Sequence, residues 1–143
     1  MHTLQSLLNK QIDNLNELVR LLEAELHHIS SRDAESLTTL LEKKSDILED
    51  IQMLDARIEH EYRAATASDS PLDENVQTLI DTAQNLVEDC KYRTEINQKA
   101  VEQGQLRLSH LRNLMLEVRA KESLTYDKSG KPKGTGLGKG ISA

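Results

Sequence analysis

The chain has 143 residues and a formal net charge of −6, with 37% hydrophobic residues, 2% aromatic residues and no Trp or Phe. This length suits one domain, but the aromatic side chains that fill a thick globular core are missing. The abundant Leu, Ala, Glu, Gln, Lys and Arg are typical of coiled coils and long helices. The acidic balance argues against a nucleic-acid partner, because phosphate binding requires clustered Lys and Arg.

Glycine and proline are almost confined to the C-terminal end. Residues 1–120 contain only Gly104 and Pro71, and every other glycine lies at or beyond residue 130. Both residue types destabilise helix interiors. We therefore predict a helical body over residues 1–120, followed over residues 121–143 by a flexible, basic, glycine-rich tail.

Two apolar stripes with three- and four-residue steps occupy the first half of the chain. They predict helices over about residues 3–29 and 34–66, and Lys44 is the one charged residue that interrupts the second stripe. The break between them is short, and Asp33 is placed to cap the second helix. So short a connection favours an antiparallel hairpin.

A third helix is predicted over about residues 71–120. Residues 70–73 read Ser-Pro-Leu-Asp, which is a helix start with proline at its first position. The apolar stripe weakens at Asn97 and then meets Gly104, so we expect a bend or local opening there. The predicted fold is all-α, with three long helices in an antiparallel coiled-coil-like bundle and a flexible C-terminal tail.

The predicted helices differ in length. At about 1.5 Å per residue they would measure roughly 40, 50 and 75 Å, so the third extends past the others by on the order of 25 Å. Its C-terminal portion is nevertheless rich in apolar residues: Leu106, Leu108, Leu111, Leu114, Met115, Leu116 and Val118. Exposed apolar surface of this kind usually marks a partner site. The alternative is that the helix folds back or dimerises and buries these residues.

No motif predicts an enzyme, a metal or a cofactor. Glu25 and His28 have the spacing of half a di-metal site, but no second copy exists. The glycines of residues 134–140 lack the spacing, the hydroxyl and the flanking elements of a phosphate-binding loop. Cys90 falls on the apolar stripe, where a small buried residue is its ordinary role.

The N-terminus lacks a basic and apolar leader, and no apolar run is long enough to span a membrane. We therefore expect a cytoplasmic protein without direct membrane insertion. Within the polar tail, Tyr126 stands out as an aromatic side chain suited to a transient interface.

Three blocks of sequence resemble the FlgN family of flagellar type III export chaperones. Residues 42–48 are similar to the Lys-containing second helix of that family, and residues 95–98 to its Asn-marked third helix. Residues 124–127 and 138–143 are similar to its Tyr- and Gly-containing terminus. The last match is the most distinctive, and together the blocks span most of the chain.

The resemblance implies a non-enzymatic cytosolic chaperone that binds the C-terminal helical region of two hook-filament junction proteins. It would prevent their premature assembly and deliver them to the flagellar type III export gate. Client binding would fall on the later third helix, at Asn97, Val101, Leu108, Leu111, Met115 and Val118. Tyr126 would dock on the cytoplasmic domain of the membrane export gate.

Two other hypotheses come from different classes. A structural coiled-coil oligomerisation protein would use the same apolar face for self-association, and weak self-association is compatible with a chaperone as well. A metal-binding helical bundle would require stoichiometric iron or manganese in the purified protein.

Overall fold

The computed structural model describes the backbone of residues 2–67 and 70–128 and the side chains of residues 3–67 and 70–123. In this part of the chain the fold is all-α, as predicted, and contains no strand. Three helices follow one another: α1 (His2–Ser31), α2 (Ala34–Thr66) and α3 (Glu74–Lys128). The chain divides into two compact units, residues 1–100 and residues 101–143.

The turn between α1 and α2 is closed by backbone and side-chain hydrogen bonds. Arg32 adopts a left-handed conformation with φ of 57°, and the Asp33 amide donates to the His28 carbonyl at 3.0 Å. This is the Schellman arrangement that usually uses glycine. The Asp33 carboxylate then accepts from the Ser36 amide at 3.1 Å and from the Ser36 hydroxyl at 2.6 Å. Asp33 therefore caps α2, as the sequence predicts.

α3 begins later than the predicted residue 71. The Asp73 carboxylate accepts from the Asn75 amide at 3.1 Å, and the Asp73 carbonyl accepts from the Gln77 amide at 3.0 Å. Asp73 is thus the capping residue, so Pro71 lies before the helix. α3 continues beyond the predicted residue 120 to Lys128 and passes through Gly104 without interruption.

The core of the first unit is a thin seam of leucines from α1, covered by α2 and α3. One cluster centres on Leu15, Leu18, Leu22 and Cys90. A second cluster centres on Leu4, Leu8 and Val76. Most of the buried leucines belong to α1. Because burying a side chain of this size contributes about 1.5–3 kcal/mol, α1 supplies most of the hydrophobic stabilisation of the unit.

Contacts between the helices fix their directions. The Cys90 thiol lies 3.9 Å from the Leu15 carbonyl, and the side-chain amide of Asn97 donates to the Leu22 carbonyl at 3.0 Å. In both pairs the two residues are 75 positions apart in the sequence. This constant separation shows that α3 runs parallel to α1. Glu25, near the end of α1, pairs with Lys44 in the first half of α2, whereas the side-chain amide of Gln11, earlier in α1, donates to the Ile51 carbonyl further along α2 at 2.9 Å. α1 and α2 therefore form the predicted antiparallel hairpin.

The two polar interruptions of the apolar stripes meet in one network. Lys44 on α2 forms an ion pair with Glu25 on α1 at 2.7 Å. The other carboxylate oxygen of Glu25 accepts from the Asn97 amide at 2.7 Å. Glu25 and Asn97 are buried, being 8% and 4% exposed. Because each polar group has a partner, the network joins all three helices without leaving an unsatisfied charge.

Candidate functional site

The second unit presents apolar side chains to solvent along α3. Over residues 101–123 no side chain is classed as buried. Its exposed large apolar residues, between 42% and 69% exposed, are Val101, Leu106, Leu108, Leu111, Leu114, Met115 and Val118. A solvated helix seldom shows so much apolar surface, and such a surface usually marks a binding site.

Most of these residues share one side of the helix. At 3.6 residues per turn, residues 101, 108, 111, 115 and 118 fall within an arc of about 100°. We call this surface the 101–118 face, made of Val101, Leu108, Leu111, Met115 and Val118. Leu106 points to the opposite side and is not part of it. The face has the geometry that receives an amphipathic partner helix.

The 101–118 face continues a pattern that begins in the first unit. A seven-residue step from the start of α3 passes through Val76, Ala83, Cys90, Asn97, Gly104, Leu111 and Val118. In the first unit the early positions of this series pack on α1. Leu111 and Val118 carry the same series into the second unit, where they are exposed.

Two arginines border the 101–118 face. A shallow depression is lined by Leu108, Leu111, Met115 and Leu116 together with Arg112 and Arg119. Within the described side chains, neither arginine forms an ion pair. Sequence reasoning missed these two residues, although their seven-residue spacing beside the apolar stripe could have indicated them. The depression therefore suits an apolar surface flanked by negative charge.

Asn97, predicted from the resemblance as a client contact, lies in a different environment. Its amide is committed to Leu22 and Glu25 of α1, and the side chain is 4% exposed. The structure thus brings together five of the predicted residues on the 101–118 face but not Asn97. Asn97 closes the core of the first unit instead.

Tyr126 belongs to α3 by its backbone, but its side chain lies outside the described part of the chain, as do residues 129–143 of the predicted tail. Its role as a docking residue stays a prediction. Among the residues that the structure describes, no helix combines the length and apolarity needed to cross a bilayer.

Glu25 and Cys90, the residues that the sequence offers for metal binding or reactivity, both pack within the first unit. Glu25 is occupied by Lys44 and Asn97, and no group of three His, Cys, Asp or Glu side chains among the described residues is arranged to hold a metal ion. Cys90 is buried. Burial raises the pKa of its thiol, with a further contribution from the negative charge of Asp89. The thiol therefore stays protonated and poorly nucleophilic at neutral pH.

A helical bundle with one exposed apolar helix face is typical of a protein that binds other proteins. The family model described as FlgN protein matches residues 1–134, so the chain belongs to the FlgN family. This is a family of flagellar export chaperones, and the resemblance noted in the sequence is confirmed. No curated protein and no solved structure matches the chain.

Proposed function

We propose that this chain is a cytoplasmic export chaperone for hook-filament junction proteins. It binds the C-terminal helical region of two such clients, prevents their premature assembly and delivers them to the flagellar type III export gate. Membership of the FlgN family supports the general role of a flagellar export chaperone. The observation that supports the client site is the exposure of the 101–118 face.

The mechanism is helix-in-groove recognition. An amphipathic client helix covers Leu108, Leu111 and Met115 with its own apolar stripe. At about 25 cal/mol per Å² of buried apolar area, such a contact supplies micromolar to nanomolar affinity after the cost of ordering the partners. While this stripe is covered, the client cannot use it to assemble. No nucleotide is needed for binding.

The charges beside the 101–118 face add specificity. Arg112 and Arg119 favour a client helix that carries carboxylates on one flank of its apolar stripe. Because these arginines are exposed, they contribute more to the choice and orientation of the client than to raw affinity. Raising the salt concentration should therefore weaken client binding only modestly.

Delivery is assigned to the C-terminal segment. Tyr126 docks on the cytoplasmic domain of the membrane export gate, and the client remains on the 101–118 face until the gate competes for it. The ring of a tyrosine covers a large area at low entropic cost, and its hydroxyl tolerates a wet interface. Binding of the client and docking to the gate are thus separate functions of neighbouring segments.

Co-purification with candidate junction proteins tests the client site. The variant Leu108→Asp/Leu111→Asp/Met115→Asp should lose client capture. The matched control Gln103→Asp/Ser109→Asp/Asn113→Asp adds equal charge to other sides of the same helix and should retain it. Equal capture by both variants would refute the site. Tyr126→Ala should keep client capture and weaken docking to the gate.

Self-association through the same face is the competing function. Sedimentation of the purified protein over a concentration series separates the two. A stable dimer whose 101–118 face stays closed to clients would favour a structural coiled-coil protein, whereas weak self-association that clients displace is compatible with the chaperone.

A further inference from the structure

The first unit contains a second surface that the proposed function does not use. α2 and α3 leave an open groove between them, and α1 forms its floor. The groove has a volume of about 1100 Å³. We call it the α2–α3 groove. Residues of all three helices line it, among them Leu8 and Leu15 of α1, Ile58 and Tyr62 of α2, and Ile80 and Val87 of α3.

The length of the groove fits a short helix. Residues 51–62 of α2 form one wall and span about 16 Å, or three helical turns. Along this wall Ile51 and Ile58 pack partly on the core clusters, and Tyr62 is 40% exposed. They leave an apolar edge that another helix can contact.

The polarity of the groove selects the kind of helix. Its floor is apolar at Leu8 and Leu15, which are buried, while the side chains of Tyr62 and Val87 are 40% and 36% exposed. The charged residues of the lining are all carboxylates: Asp55, Glu59 and Glu88. An apolar floor between acidic walls is complementary to a helix whose apolar stripe is flanked by Lys and Arg.

Existing ion pairs leave these carboxylates available. Glu59 pairs with Arg63 at 2.6 Å and Glu88 with Lys91 at 3.5 Å, but the side chains of both pairs are largely exposed. Exposed pairs are weak and exchange readily, so basic residues of a bound helix can replace Arg63 and Lys91. Among the described side chains, Asp55 forms no ion pair.

We propose that the α2–α3 groove binds one amphipathic helix of a partner protein, about three turns long, with a basic residue on each flank of its apolar stripe. This helix differs from that of the client, because Arg112 and Arg119 beside the 101–118 face favour the opposite charge. The distinction from the client rests on the proposed function, whereas the preference for a basic helix rests on the groove alone. The chain can then hold two partners at once.

A designed peptide of about 14 residues, roughly four turns, tests the groove. It carries a leucine stripe flanked by lysines, and a second peptide has glutamates in place of the lysines. The preference between the two peptides is measured by fluorescence anisotropy at about 0.15 M salt, with the full chain carrying Leu108→Asp/Leu111→Asp/Met115→Asp. These substitutions keep the glutamate peptide off the 101–118 face. The lysine peptide should bind at least about ten-fold more tightly than the glutamate peptide. Equal affinity for the two peptides would overturn the proposal.

Two charge-reversal variants locate the bound peptide. Asp55→Lys/Glu59→Lys/Glu88→Lys should reverse the preference between the peptides. The matched control Glu42→Lys/Asp46→Lys/Glu49→Lys changes the net charge equally, at exposed α2 residues outside the groove lining, and should keep it. If both variants lose lysine-peptide binding equally, the attraction is only that of net charge and the groove is not the site. Circular dichroism verifies that each variant is folded.

Substitutions on the two surfaces separate the groove from the 101–118 face. Val87→Arg should weaken lysine-peptide binding at least about ten-fold, whereas Leu111→Asp should leave it unchanged. The reverse pattern would place the peptide on the 101–118 face and overturn the groove. Client capture that survives Leu111→Asp but fails with Val87→Arg would instead refute the proposed client site.

Sedimentation tests whether a second copy of this chain is the occupant. If the wild-type chain forms a dimer that Val87→Arg dissociates, the groove is a self-association surface and the proposal is wrong. A monomer at the concentrations of the peptide titration supports it.

Discussion

The two parts of α3 carry the same seven-residue apolar series in different surroundings. In the first unit Val76 and Cys90 are 1% and 6% exposed because they pack on the leucines of α1. In the second unit Leu111 and Val118 are 51% and 56% exposed. The periodicity of a helix thus determines which residues share a face, but only a neighbouring helix determines whether that face is buried.

This difference assigns different roles to similar residues. A leucine of the first unit contributes to folding, because its apolar area leaves water when the unit forms. An exposed leucine of the second unit gains little from folding and releases its hydrophobic free energy when a partner covers it.

The largest contrast is expected for leucine truncation. Leu22→Ala should lower the free energy of unfolding by about 2–5 kcal/mol, because it opens a cavity in a core position that is 2% exposed. Leu111→Ala should change it by no more than about 0.5 kcal/mol. Urea denaturation followed by circular dichroism measures both. Similar losses for the two variants would show that Leu111 is covered in the free protein.

A smaller contrast is expected for asparagine. Asn97→Ala removes the amide that donates to Leu22 and Glu25, so buried acceptors lose their partner and the protein should lose about 1–3 kcal/mol. Asn113 is exposed in the second unit, and Asn113→Ala should cost less than about 0.5 kcal/mol. Client capture by Asn97→Ala at a temperature where it stays folded separates a core role from a client contact. Retained capture is expected.

Gly104 lies near the start of the second unit. A Cβ added at Gly104 meets nothing within 4 Å, and the residue is helical. Gly104→Ala should therefore raise the stability of the helix by about 0.5–1 kcal/mol without reducing client capture. Thermal unfolding and co-purification measure the two effects. A more stable variant that no longer captures the client would show that recognition requires a flexible point at Gly104.

The smallest effect depends on pH. The Ser36 hydroxyl, and then the Ser36 amide, lower the pKa of Asp33 by binding its carboxylate. This stabilisation is present above the unfolded pKa of about 3.9 and is lost as the pH falls through the lower folded pKa. Asp33→Asn keeps a capping oxygen but does not titrate.

The melting temperature of the wild type should therefore fall further between pH 6 and pH 3 than that of the Asp33→Asn variant. Parallel melting curves at both pH values measure the difference. A constant difference would mean that the carboxylate is not specifically stabilised in the folded protein.

The sequence predicts most of the fold, since the helical stripes, the Asp33 cap and the hairpin follow from local patterns. It does not predict that Lys44 and Asn97 both bond to Glu25, because that network depends on the relative register of three helices. Asn97 lies on the apolar stripe of α3 and is buried, and only the family resemblance predicts it as a client contact. The predicted start of α3 at Pro71 is wrong, because Asp73 rather than Ser70 caps the helix.

The sequence predicts only part of the candidate site. Apolar residues at helical spacing indicate the 101–118 face, and the family resemblance points to the same segment. The α2–α3 groove leaves no such signal, because its residues come from three helices and each looks like an ordinary member of an amphipathic stripe. The side chain of Tyr126 is outside the described part of the chain, so its role depends on the resemblance alone.

Site-specific photo-crosslinking tests the central claim most directly. A photoreactive amino acid replaces Leu111 on the 101–118 face or, as a control, Asn113 on the other side of the same helix. After irradiation of the chaperone with its client, the account predicts a covalent adduct from position 111 and little or none from position 113. A stable complex that gives no adduct from position 111, or equal adducts from both positions, would contradict it.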